Sequence, residues 1–333
     1  MKKKIVPIAV IAVALIAVIL LSDKLIINTA ENSFFAMNTV CSSKISGKES
    51  DSVSEEIQAA VEKLDTDVLS RKNESSSVSR LNRNMGGEID GKLFEYFSVL
   101  LDVCKKSGGK FDFTLGAVSD LWNFGGKADL PDEAKLKEAL SHSGSEKITL
   151  TEKSVAYGDS FTVDFGAAGK GVALDEIKNH LEETEIKEAV ISIGGSILLY
   201  GEKDFTVGIR NPEGNAGSYI AILNVDGCCV STSGGYERFF EKDGKTYHHL
   251  LDPETGYPAQ SGVVSVTVVS ESGILSDALS TACFVLGIEK GAALAEEYGC
   301  ETVFVDENKK LYVSDGLKEK IEITDNGYSL AEQ

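Results

Sequence analysis

VSTSGGYERFFEKDGKTYHHLLDPETGYP, Val230–Pro258, holds the pairing that decides the class of fold. Asp243-Gly244 separates two apolar-aromatic runs, and that dipeptide between such runs is a strong hairpin signal because both of its residues tolerate positive φ. Tyr236–Glu241 and Thr246–Leu251 are therefore expected to pair as antiparallel strands. His249 and Asp252 fall at the end of that pairing, between the turn signals Asp252-Pro253 and Thr255-Gly256. A strand end held by tight turns is where a rigid scaffold presents reactive groups. His248 and His249 alternate across the strand, so one faces a cleft and the other the surface. Asp252 reads mainly as a turn former ahead of Pro253.

Working outward, SDALSTACFVLG, Ser276–Gly287, reads as a short helix with Ser276 as N-cap, Asp277 in the first turn and Gly287 as an αL stop. Asp277 and Thr281 are four residues apart and share a face. A carboxylate with a hydroxyl suits a hard cation such as Mg2+, whereas zinc favours His or Cys. On this segment alone a capping aspartate and a back-bonded threonine is the simpler reading. Upstream, FTVDFGAAGKG, Phe161–Gly171, passes from a strand through a glycine-rich turn into the helical pattern Val172–Glu183. Such a junction aims backbone N–H groups at an anion. It matches neither the Walker A pattern nor G-x-G-x-x-G, and by itself serves equally well as a packing device. Gly194-Gly195 reads either as a bulge in a buried strand or as a close backbone approach.

The remaining pattern gives a strand near Phe34–Ile45, an amphipathic helix near Ser52–Ser70, a polar loop to Gly87, a helix near Lys92–Ser107 and a loop over Phe111–Gly126. A helix from about Pro131 to His142 and a hairpin near Lys147–Ala156 precede the glycine turn. Strands follow at Ala189–Leu199, Phe205–Arg210, Tyr219–Val225 and Val263–Ser270, then two helices to Gly299 and short strands at Thr302–Val305, Lys310–Val313 and Lys320–Ile323. Antiparallel strands with segregated helices make the class α+β, with mixed, largely antiparallel sheets and flanking helices.

A net charge of −19 argues against nucleic acid, whose affinity comes from clustered Lys and Arg. Lys2-Lys3-Lys4 precedes the apolar run Ile5–Leu21, which at ~1.5 Å per residue is near the lower limit for a membrane span. Residues 1–22 are expected to be one uncleaved transmembrane signal-anchor, 23–33 a linker and 34–333 the folded domain. The basic start places that domain outside the cytoplasm, giving a single-pass cell-membrane protein. Cys41, Cys104, Cys228, Cys229, Cys283 and Cys300 show no C-x-x-C spacing and read as buried free thiols.

The ordered motifs resemble those of the FAD:protein FMN transferase (ApbE) family. They are Met37-Asn38-Thr39, Ser76-x-x-Ser79-Arg80-Leu81-Asn82, Phe111-Asp112-Phe113-Thr114, Leu121–Gly125, Asp164–Gly171, Ile193-Gly194-Gly195, Thr232–Tyr236, His249–Gly256 and Ser276–Gly287. The resemblance spans roughly residues 35 to 290 and implies two halves meeting around a flavin cleft. It implies a Mg2+-dependent enzyme that takes FAD, breaks its pyrophosphate and transfers FMN to a Thr or Ser hydroxyl of an acceptor protein, releasing AMP. By resemblance, Asp277, Thr281 and the Ala167 carbonyl hold the Mg2+. Met37, Phe111, Asp112, Asp164, Lys170, Gly194, Gly195 and His249 contact the flavin dinucleotide, and His249 and Asp277 are catalytic. His249 is the candidate for activating the acceptor hydroxyl. The acceptor implied is an exported or membrane-bound electron-transfer flavoprotein.

Two positions depart from the family pattern. Lys72 stands where an aromatic side chain commonly covers the flavin, and Phe113 stands where proline is usual. Two other function classes use the same residues: an FAD pyrophosphatase with water as nucleophile, giving free FMN and AMP, and a non-catalytic flavin-binding module.

Overall fold

A computed structural model describes residues 28–215 and 217–332. The expected anchor, residues 1–22, and the first part of the linker lie outside the described residues. Among the described residues no helix is long and apolar enough to cross a membrane.

β1 (Asn28–Ala36) and β2 (Thr39–Gly47) form a hairpin. The single strand expected near Phe34–Ile45 is therefore broken at Met37 and Asn38, whose φ angles are 51° and 58°. Left-handed backbone is uncommon for methionine, and here the Met37 N–H donates to Asp65 Oδ2 at 2.6 Å to hold it. Residues 28–33, expected to be linker, are strand and pair with Ser42–Gly47.

α1 (Ser50–Lys63) continues as a π-helical stretch over Leu64–Leu69, followed by α2 (Ser77–Asn84), β3 (Gly86–Glu88), α3 (Gly91–Lys106), α4 (Gly116–Trp122) and α5 (Glu133–His142). α2 occupies the expected polar loop. Its sequence is mostly polar, but Ser76 caps it by accepting from the Ser79 N–H at 3.0 Å, and Val78 and Leu81 are buried beneath it. α4 interrupts the expected Phe111–Gly126 loop around the fully buried Trp122, whose Nε1 donates to Gly256 O at 2.7 Å.

β4 (Ile148–Thr151) and β5 (Ser154–Tyr157) precede α6 (Gly169–Glu182). Then come β6 (Ile186–Ile193), β7 (Ser196–Tyr200), β8 (Phe205–Arg210), β9 (Tyr219–Val225) and β10 (Cys229–Gly234). The deciding hairpin is β11 (Phe239–Lys242) with β12 (Lys245–His248). It is shorter than expected, turns on Asp243 and Gly244 at φ 53° and 74°, and forms a separate two-stranded ribbon. β13 (Val263–Ser270), α7 (Gly273–Leu286), α8 (Ile288–Glu297), β14 (Glu301–Asp306), β15 (Lys310–Val313), β16 (Ile321–Ile323) and β17 (Ser329–Leu330) complete the chain.

A nine-stranded sheet runs β1-β2-β6-β7-β10-β13-β14-β15-β17, antiparallel throughout except for β15 with β17. Because side chains alternate along a strand, neighbouring residues feed opposite cores. Leu198 and Phe304 join α3, α6 and α7 on one face, while Leu199 and Val303 pack against β8, β9 and β16 on the other. The architecture is mixed α+β, as expected.

Candidate active site

α6 and α7 meet backbone to backbone at two glycines. A Cβ on Gly171 would fall 2.1 Å from the Gly273 carbonyl oxygen, and one on Gly273 would fall 2.4 Å from that of Gly171. This approach carries Asp277, only 3% exposed, to the start of α6. Asp277 Oδ2 accepts from the Gly171 N–H at 3.0 Å, while Oδ1 accepts from Lys170 Nζ at 3.0 Å and Ser196 Oγ at 3.1 Å.

α7 starts about a turn earlier than expected. Ser272, not Ser276, is its N-cap, and Asp175 from α6 accepts from the Gly273 and Ile274 amides at 2.6 and 2.9 Å. Asp277 therefore lies beyond the first turn, and the helix crossing rather than the helix dipole sets its place. Ser276 is instead buried, 2.8 Å from Ser231 Oγ. Gly287 ends the helix, with φ 83° and an extended ψ rather than αL. Thr281, one turn beyond Asp277, lies with its Oγ1 3.4 Å from Ser233 Oγ.

Asp164 opens the glycine turn, its Oδ1 accepting from the Gly166 N–H at 2.9 Å and its Oδ2 from Arg71 Nε at 2.7 Å. Phe165–Ala167 is a 3-10 turn leading into α6. The Gly171 N–H lies in the first turn of α6, where amides have no carbonyl partner within the helix, and Asp277 supplies the acceptor. Ala167 and Thr281 line one cavity. Carboxylate, hydroxyl and carbonyl are the hard oxygen donors that Mg2+ prefers. Among the described residues no cluster of three His, Cys, Asp or Glu stands anywhere, so a metal here would draw on such a mixed set.

Two adjoining cavities of about 950 and 520 Å³ form the cleft, and Asp164, Lys170 and His249 border both. Met37, Gly194 and Gly195 line the first. Phe111 and Asp112 border the second with Ala167 and Thr281. Gly194-Gly195 is neither bulge nor strand interior but the two-residue turn between β6 and β7, with Gly194 at φ 59°. Phe111 has its ring in the core. Asp112 accepts from Thr114 N and Oγ1 at 2.8 and 2.7 Å, and burial pushes its carboxyl above the usual range.

His249 lies half-buried in the cleft. Its Nδ1 sits 3.3 Å from the Arg238 carbonyl oxygen, an acceptor, so Nδ1 carries the proton and Nε2 keeps a lone pair. Burial, and then the charge of Arg238, bring its pKa down to about 4. His248 is not the surface residue expected. It is half-buried, edge-on to Phe284 at 5.3 Å, with Nε2 3.1 Å from Ala259 O. Asp252 is the expected turn former, accepting from the Glu254 N–H at 3.0 Å, and it also pairs with Lys110.

The structure adds Arg71, Asp120, Glu237 and Arg238 to the cleft wall. Arg71 bridges Asp164 and Asp120, each at 2.7 Å, and Lys72 meets Asp120 at 2.5 Å. Against the opposing effect of burial, those two cations hold the Asp120 carboxyl below its usual range. Burial lifts the Glu237 carboxyl, against the attraction of Lys170. Glu237-Arg238 stands inside the deciding stretch, but no pattern there marks either residue as part of a cleft. Arg71 gave no signal beyond its place beside Lys72.

Residues 37–304 match the model of the ApbE family. An FAD:protein FMN transferase of Treponema pallidum is 35% identical over 307 residues, covering 83% of this chain and 84% of that protein. One of Klebsiella pneumoniae is 30% identical over 272 residues, covering 79% and 85%. Among solved structures, the ApbE protein of Thermotoga maritima superposes with a TM-score of 0.80 at 29% identity, covering 88% of this chain and 99% of that one. The apo flavinyl transferase ApbE of Pseudomonas stutzeri gives 0.74 at 28%, covering 84% and 92%. The matched span takes in both the glycine turn and the Asp277 helix, and the chain belongs to the ApbE family.

Proposed function

We propose that this protein is a flavin transferase that moves the FMN moiety of FAD onto a Thr or Ser hydroxyl of an acceptor protein and releases AMP. One observation carries the reading: the buried Asp277 meets the glycine turn and Lys170, and Lys170 borders a cleft that His249 also borders. Phosphoryl transfer needs just these parts, namely charge neutralisation, an oxygen nucleophile and a group to take its proton.

Asp277, Thr281 and the Ala167 carbonyl would hold Mg2+, which when bound supplies charge neutralisation on the phosphates. Lys170, a quarter exposed and next to Asp277, is within reach of the same phosphates. The neutral His249 accepts the proton of the incoming hydroxyl at Nε2, since Nδ1–H is committed to the Arg238 carbonyl. Met37, Gly194, Gly195 and Asp164 line the dinucleotide's path, and Arg71 fixes Asp164 there. The lysine cluster and apolar run at residues 2–21 support a single-pass membrane anchor with this domain outside the cytoplasm.

The test is mass spectrometry of hydroxyl-bearing peptides incubated with the protein, FAD and Mg2+. Covalent FMN on Thr or Ser with AMP in solution is expected. Free FMN alone would replace transfer by hydrolysis, and unchanged FAD would leave only binding.

A further inference from the structure

We infer that the acceptor protein docks as an extended, apolar-flanked segment across Phe35 and Val40 at the tip of the β1–β2 hairpin. The inference rests on the transferase reading above and names where its macromolecular substrate sits.

Phe35 and Val40 face each other in the hairpin register and are 67% and 63% exposed, the two most exposed large apolar side chains among the described residues. Both border the cavity that His249 borders. A facing aromatic and β-branched pair gives the hairpin only a small stabilisation, and apolar surface left exposed beside a cleft marks a contact surface. The tip is fastened rather than loose: the Met37 N–H bonds Asp65, and Arg238 Nη2 donates to Asn38 O at 3.3 Å. Arg238 is also the residue whose carbonyl orients His249, so a segment lying on the tip reaches the base without crossing the molecule. Phe239, next to Arg238 and 49% exposed, extends the apolar rim onto the second hairpin. Among the described residues β1 is the outermost strand of the large sheet, and Phe35 near its end lines the cleft. An extended chain meets these features well, because alternate residues point to opposite sides: a hydroxyl residue enters the cleft while residues beside it contact the rim.

The probe is a pool of short random peptides with a fixed central Thr or Ser, incubated with the full chain, FAD and Mg2+ and read by FMN attached to peptide. Labelled peptides are expected to carry apolar residues near the hydroxyl. The double variant Phe35→Ser with Val40→Ser is expected to lose about tenfold in kcat/KM for them, the scale of truncating an interface anchor. Its FAD affinity, read by flavin fluorescence, should stay at the wild-type value, and its melting temperature should fall only by the small amount one cross-strand pair is worth. Labelled peptides with no apolar preference, or a variant that labels them as well as the wild type, would overturn the docking surface while leaving the transferase reading intact. A wild-type protein that labels no peptide would overturn the transferase reading and the surface with it.

Discussion

The amide of Gly171 donates to Asp277 Oδ2 at 3.0 Å, joining residues more than a hundred positions apart in the chain. That bond exists because neither Gly171 nor Gly273 carries a side chain at the crossing of α6 and α7. It leaves the Asp277 carboxylate facing the glycine turn, with Lys170 as its present counter-ion.

Replacing Gly171 by Ala puts a methyl 2.1 Å from a carbonyl oxygen and forces the helices apart. Overpacking of this kind costs roughly 1–3 kcal/mol, and activity should fall further than stability because Asp277 moves with α7. Chemical denaturation beside AMP release checks both quantities.

Asp277→Ala should reduce turnover by about a thousandfold, the scale of several kcal/mol of charge stabilisation. Weak FAD binding should persist through the rest of the cleft. AMP release by chromatography and flavin fluorescence separate the two effects, and full activity in the variant would remove Asp277 from the proposed metal site.

His249→Ala should slow transfer by ~10²–10⁴-fold, the usual worth of a positioned base, and slow hydrolysis by water less. Equal losses in the two reactions would make His249 a positioning residue only.

The pH dependence follows from the same histidine. With its folded pKa brought down to about 4, His249 stays neutral from neutral pH well into the acid range, so kcat/KM should fall only as pH drops through 4. For stability, an unfolded chain takes up the histidine proton near its ordinary value of 6.5 while the folded chain does not. Folding should therefore weaken as pH falls from 6.5 to 4, with no contribution from this group above 6.5. His249→Ala should flatten that slope in melts across the range.

Arg71→Met should lower FAD affinity and stability together. It leaves Asp164 and Asp120 without their shared cation, although the exposed Lys72 retains Asp120. Calorimetric titration with FAD against the thermal midpoint checks this.

Much of this arrangement was legible before the fold was known. Phe205–Arg210, Tyr219–Val225 and Val263–Ser270 are strands with the expected ends, since each is a branched or aromatic run bounded by turn residues. The breaks were harder. Met37-Asn38 turns because Asp65 holds the amide from elsewhere in the chain, and α2 forms because two buried residues and a serine cap outweigh a polar sequence. β10, Cys-Val-Ser-Thr-Ser-Gly, lacks the branched alternation that marks a strand and is recruited by its neighbours β7 and β13. α7 starts a turn before the Ser276 signal because Asp175, distant in sequence, supplies the acceptor for its first amides. In the site, the motif residues converge, while Arg71, Asp120 and Glu237 belong to it through contacts that no local pattern encodes.

The most direct test is anomalous diffraction from crystals soaked with Mn2+ and FAD. A metal peak bound by Asp277, Thr281 and the Ala167 carbonyl is expected, with Lys170 turned from Asp277 to the pyrophosphate. A peak elsewhere in the cleft, with the Lys170–Asp277 pair intact, would contradict this placement.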